Sequence, residues 1–146
     1  MKNAYVEMKK RHQERVNALP LMFAFSQQQF NEGMEKLGLK PTDTHLITSI
    51  GAGGFIRKAD LANFHDTMEA LKIEAQAAID EDIDGTGFIK DMFLYELGNH
   101  EYCITYDLEP TLDALGLSED EVLNNPALLN GLKLARAEYL AHAFDY

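Results

Sequence analysis

Residues 60–97 read DLANFHDTMEALKIEAQAAIDEDIDGTGFIKDMFLYEL, and the folding of this stretch decides the class of the protein. From Leu61 onward, Phe64, Met68, Leu71, Ala75 and Ala78 recur at three- and four-residue spacing. That is the apolar stripe of an amphipathic helix over 60–79, and Asp60 is a fitting N-cap. From about 88 to 99 a second stripe repeats the pattern with Ile89, Met92, Phe93 and Leu97. Between the two, residues 80–87 hold aspartates and glycines, the composition of a turn. Helix, acidic loop, helix is the expected order.

Working outward, the remaining chain also reads as helical. Residues 3–18 have high helix propensity and stop before Pro20. PLMFAF (20–25) is a short apolar run that should be buried. Ser26 can cap a helix with Phe30, Met34 and Leu37 on one face, and Gly38 is its natural end. THLITSI (44–50) and FIR (55–57), separated by the turn residues GAGG, suggest a small hairpin that must pack on helices to be stable. GNHEYCITYD (98–107) is ambiguous, with strand-like residues at its end. Pro110 suits the first turn of a short helix. SEDE (118–121) is a capping box, with Ser118 and Glu121 as its two partners. Asn125 and Pro126 open a last helix along Leu128, Leu132, Ala135, Tyr139 and His142. The fold class expected is mainly α: a single compact helical domain over 1–146 with at most a small β-hairpin around 44–57.

Composition agrees. With 146 residues, 46% hydrophobic and 25% charged, the chain is long enough to bury a core. No apolar run reaches the roughly 18 residues of a membrane span. The polar start MKNAYVEMKKRHQERV is unlike a secretory signal, and the single cysteine, Cys103, excludes an internal disulfide. A cytoplasmic setting is expected.

Charge is unevenly distributed. Residues 1–73 carry ten Lys/Arg and eight Asp/Glu, whereas residues 74–132 carry fourteen acids against the single base Lys90, a net of −13. Such a stretch repels itself and attracts basic surfaces. It argues against direct nucleic-acid contact, because phosphates would be repelled. The expected partner-facing residues are Asp80, Glu81, Asp82, Asp84, Asp91, Glu96, Glu101, Asp107, Glu109, Asp113, Glu119, Asp120 and Glu121, and the expected partner is a basic protein surface such as that of a host nuclease or nucleic-acid-binding protein. On the basic side, KKRHQER (9–15) offers Lys9, Arg11 and Arg15 to nucleic acid or to an acidic surface, including the protein's own.

The loop 80–91 is also the one candidate for a metal. An EF-hand loop places oxygen ligands at positions 1, 3, 5, 7, 9 and 12 with glycine at 6. With Asp82, Asp84 and Thr86 at 1, 3 and 5, Gly87 falls at 6 and Ile89 at 8, but Phe93 occupies 12. With Asp80, Asp82 and Asp84 at 1, 3 and 5, Gly85 falls at 6 and Asp91 at 12, but Gly87 occupies the apolar position 8. Asp80, Asp82, Asp84 and Asp91 are therefore the metal candidates, with Ca²⁺ as the ion, set against an acidic turn in which Asp82 or Asp84 bonds nearby amides. GAGGFIRKADLANF (51–64) and DGTGFIKDMFLYEL (84–97) share G-x-G-F-I-[RK] if a one-residue offset is allowed, which a duplicated helix–loop–helix or a recurring glycine turn would each produce.

Cys103 near His100 or His65 is the remaining chemical possibility, a nucleophile with a base, against a small buried apolar residue. No catalytic residue is assigned, and an enzyme is not the expected class.

SIGAGGFIRKAD, GFIKDMFLYELGNHEYCITYDLE and TLDALGL together resemble a family of small uncharacterised acidic proteins of gut bacteria, their phages and conjugative elements. FAFSQQQFNEGMEKLGL is similar to a stretch of antirestriction proteins, which are acidic mimics of DNA, although Asn31 and Gly33 stand where acids would suit. DEDIDGTGFIKD resembles a degenerate EF-hand loop. The resemblances imply an acidic, non-enzymatic interaction protein of a phage or mobile element that inhibits a host nucleic-acid-binding defence protein by charge mimicry. The alternatives are a degenerate EF-hand-like divalent-cation binder and a small Cys/His enzyme.

Overall fold

A computed structural model describes residues 2–143. These fold as eight α-helices and one three-stranded antiparallel sheet, so the protein is mainly α. The chain divides into two compact units. One runs from His12 to Lys72, and the other comprises the described residues up to Arg11 and from Ile73 onward. Helices α1 (Ala4–Asn17) and α3 (Leu61–Glu81) have residues in both.

The unit from His12 to Lys72 contains the sheet. Strands β2 (Ile47–Gly51) and β3 (Gly54–Arg57) form the expected hairpin, with Ala52 at φ 51° and Gly53 at φ 79° in the left-handed region that a two-residue turn needs. A third strand, β1 (Leu21–Phe23), pairs with β3 in the register Leu21 to Ile56, Met22 to Phe55 and Phe23 to Gly54. This strand lies in the apolar run that the sequence marks only as buried; Met22 is buried there, but Phe23 and Phe25 are exposed, which corrects that expectation. Three residues are too few to show an alternating pattern. Helix α2 (Gln27–Lys36) packs on the sheet through Met34, which together with Met22, Leu37 and Ile47 forms this unit's core. Ser26 Oγ caps α2 by accepting from Gln29 N at 3.2 Å. Gly33 lets α2 lie against β1, since a Cβ there would overlap the Met22 side chain. Its place in the sequence therefore follows from packing.

The second unit is built on α4 (Phe88–Asn99) and α8 (Pro126–His142), with α5 (Tyr102–Thr105), α6 (Glu109–Leu115) and α7 (Glu119–Asn124) between them in the chain. Ile89, Phe93, Leu97 and Ala135 are fully buried in its core. The tight approach of α4 to α8 passes over Gly131, where a Cβ would lie 2.5 Å from Ile89 Cγ2. Two caps form where the sequence places them. Ser118 Oγ accepts from Glu121 N at 3.1 Å while Glu121 Oε1 accepts from Ser118 N at 3.3 Å. Asn125 Oδ1 accepts from Ala127 N and Leu128 N.

Three more expectations change. The end of 98–107 is helical rather than strand-like, because α5 continues from α4 through a left-handed residue, Glu101 at φ 53°. The stripe of α3 is only partly covered: Leu71 is buried, while Met68 is 41% exposed. The two G-F-I-[RK] repeats fold differently, one as strand β3 and the other as the start of α4, so they are not copies of one helix–loop–helix. What they share is burial of the isoleucine, since Ile56 and Ile89 are both at 0% exposure.

Candidate functional site

The acidic loop of residues 82–87 is a brace between helices. Asp82 Oδ2 accepts from Ile89 N at 2.8 Å and from Gly87 N at 3.1 Å, so it caps the start of α4 from a distance. Asp84 Oδ1 accepts from Thr86 Oγ1 at 2.7 Å and from Thr86 N at 3.1 Å, and these two bonds hold its carboxyl below the usual carboxylate range. Gly85, at φ 78°, lies against α8 where a Cβ would overlap the Ala127 carbonyl. Asn130 Nδ2 of α8 then donates to Asp84 O at 2.8 Å.

The four metal candidates have separate tasks. Asp80 accepts from Gln76 Nε2 at 2.9 Å, and Asp91 Oδ2 accepts from Ala4 N at 2.8 Å, capping α1. Asp82 and Asp84 bond the loop as described. Phe93, at position 12 of one calcium register, is fully buried. Among the described residues no group of three or more His, Cys, Asp and Glu side chains could hold a metal ion. The four aspartates thus bond backbone amides and the side chains of Gln76 and Thr86.

The set of exposed carboxylates keeps most of its expected members. Asp80, Glu81, Asp84, Glu101, Asp107, Glu109, Asp113, Glu119, Asp120 and Glu121 are exposed, and Asp82 and Asp91 are half-buried. Lys90, the one base in 74–132, lies 3.4 Å from Glu138.

Glu96 does not belong to that set. Its residue is 1% exposed, in the core of the second unit. Tyr5 Oη donates to its Oε1 at 2.8 Å, and Lys9 Nζ lies 3.3 Å from the same oxygen. His100 Nε2 stands 3.1 Å from Oε2. The Lys9 ammonium sits between aromatic faces, 5.3 Å from the Tyr5 ring centre and 5.2 Å from that of Tyr95. Burial pushes the Glu96 carboxyl up, but the Tyr5 hydroxyl and the Lys9 charge outweigh it, and the net shift is downward. Burial, then the Glu96 hydrogen bond and charge, hold the Tyr5 phenol far above its ordinary range. A signal for this was present in the sequence: Glu96 stands seven residues after Ile89, on the same stripe as Met92, Phe93 and Leu97. A carboxylate on a buried stripe requires donors, and α1 brings them.

The basic segment 9–15 is partly consumed by the same unit. Lys9 pairs with Glu96, and Arg11 Nη2 lies 2.7 Å from Glu74 Oε1. His100, a candidate base for Cys103, faces Glu96. Cys103 is half-buried, and its backbone N–H donates to Tyr139 Oη at 3.3 Å.

A groove of about 660 Å³ opens among α6, α7 and α8 of the same unit. Leu108, Leu117, Leu123 and Leu129 contribute to its apolar lining, and Asp107, Glu109, Asp113 and Glu119 border it. Arg136 is the single base along its walls. No helix of the described residues is long and apolar enough to cross a membrane.

No curated protein and no solved structure matches the chain. A family model matches residues 4–138, nearly the whole of both units, and on it the chain belongs to the family of unknown function DUF7659.

Proposed function

We propose that the protein is a non-enzymatic, cytoplasmic interaction protein that docks the exposed carboxylates of residues 74–132 on a basic protein surface. The partner class is a host nucleic-acid-binding defence protein, whose phosphate-binding groove the carboxylates would occupy, in the setting of a phage or mobile element. One observation carries this reading. Ten carboxylates of that segment face solvent, and its only base, Lys90, is already drawn to Glu138. Uncompensated like charge costs folding free energy through self-repulsion, and a basic partner would recover it. The partner class itself rests on the resemblance of the sequence to acidic DNA mimics.

The test uses the intact protein as bait in host lysate, followed by kinetics with the captured partner. The expected result is competition with duplex DNA for that partner. The association rate should also fall at least about tenfold between about 0.1 M and 1 M salt, as the screening length shortens from about 10 Å to about 3 Å. An association rate indifferent to salt would overturn the reading. Capture of a partner that does not compete with DNA would remove the charge-mimicry part.

A further inference from the structure

We infer that the groove among α6, α7 and α8 is a docking site for an amphipathic basic helix of a partner protein. This rests on the proposed acidic-interaction role and names the place and chemistry of its contact.

The groove combines an aliphatic lining with an acidic rim. Its walls are aliphatic, and Leu123 of α7 stands 57% exposed at its edge. At about 660 Å³ it falls within the size range of ligand sites and can take several side chains. Its rim is acidic: Asp107 just before α6, Glu109 and Asp113 from α6, and Glu119 from the start of α7, all exposed. Against four carboxylates stands Arg136, so the rim keeps a net negative charge.

This pairing selects its occupant. An anion or nucleic acid is repelled by the rim. A small hydrated cation gains nothing from leucine walls and loses its water there. An extended peptide binds by adding to a free sheet edge or, as polyproline, by docking an aromatic-lined groove, and this groove is formed by helices and holds no aromatic side chain in its lining. A helix with a narrow apolar stripe and Lys or Arg on both flanks meets the two requirements together. Its stripe fills the aliphatic channel, and its flanking cations meet the rim carboxylates.

The probe is a synthetic helical peptide with leucines at i, i+3, i+4 and i+7 and lysines on the flanks. It is compared with a scrambled peptide of the same composition that has no stripe. Binding to the full chain is measured by fluorescence titration, and the contact is located by amide chemical-shift changes. The striped peptide is expected to bind at least about tenfold more tightly than the scrambled one, with the largest shifts at residues 108–136. Leu123→Ser should weaken the striped peptide about five- to tenfold without lowering the melting temperature, because this side chain is exposed in the free protein. Glu109→Lys with Glu119→Lys should weaken it further, whereas Glu81→Lys, outside the groove, should have a smaller effect. Equal binding of the two peptides, or indifference to Leu123→Ser, overturns the groove while leaving the broader acidic-surface role standing. Absence of binding by either peptide at low salt counts against both.

Discussion

Tyr5 and Glu96 each hold the other's ionisation in place, and the consequence is a pH signature with two limbs. The Glu96 carboxyl is lowered on folding, so its contribution to stability is present above the ordinary carboxylate value of about 4.3 and is lost as pH falls through the lower folded value. The Tyr5 phenol is raised, so its contribution is complete below about pH 10 and is lost as pH rises through the folded value. Tyr5→Phe should therefore flatten the alkaline limb of stability against pH. It should also cost about 1–3 kcal/mol near neutrality by leaving a buried carboxylate short of a donor, measured by urea unfolding across a pH series. Glu96→Gln should flatten the acid limb instead. An unchanged alkaline limb in Tyr5→Phe would show that other groups set it. Asp82 makes a second prediction at this scale. Asp82→Ala removes the acceptor for the Gly87 and Ile89 amides and should cost about 1 kcal/mol, the usual value of a lost helix cap. Asp82→Asn, which keeps an acceptor oxygen, should recover most of that loss.

At the scale of elements, the contact between the acidic loop and α8 depends on two glycines. At Gly85 the backbone is left-handed and a Cβ would overlap the Ala127 carbonyl; at Gly131 a Cβ would lie 2.8 Å from the Gly85 carbonyl oxygen. Gly116, in the same unit, is also left-handed at φ 67° but has open space around it. Alanine at 116 should therefore cost only the conformational term of about 1 kcal/mol. Alanine at 85 should cost that plus a steric term of about 1–3 kcal/mol. Equal losses at the two positions, read from denaturant midpoints, would contradict the close packing of the loop on α8. The helices themselves were largely legible in the sequence. Caps at Ser26, Ser118 and Asn125 and the stripe of α4 act within one or two turns, so the information is local. Strand β1 and helix α5 were not legible, because a three-residue strand and a four-residue helix carry too few residues to display a period.

For the whole molecule, charge has opposite consequences for folding and for binding. With a net charge of −11 concentrated between 74 and 132, added salt should screen self-repulsion and raise the melting temperature by a few degrees. The same salt should weaken any complex made through the exposed carboxylates. A melting temperature that falls with added sodium chloride would mean that internal ion pairs such as Arg11–Glu74 outweigh the repulsion. Observing both trends in one preparation separates a self-repelling surface from a protein held together by salt bridges.

Helical class, helix ends and the acidic surplus were determined by the sequence alone, because propensity, capping and charge reside in neighbouring residues or in simple sums. The candidate site was legible only in part. The exposed carboxylates could be anticipated, but their gathering around a leucine-lined groove depends on how three helices pack. The fates of Glu96 and of the two Gly-Phe-Ile repeats were decided by tertiary structure. Glu96 could be buried only because α1, distant in the chain, supplies Tyr5 and Lys9. The same Phe-Ile pair becomes strand beside Leu21–Phe23 and the start of a helix against α8. Short apolar segments take the form that buries their side chains and pairs their backbone, and the partners that permit this lie far away in sequence.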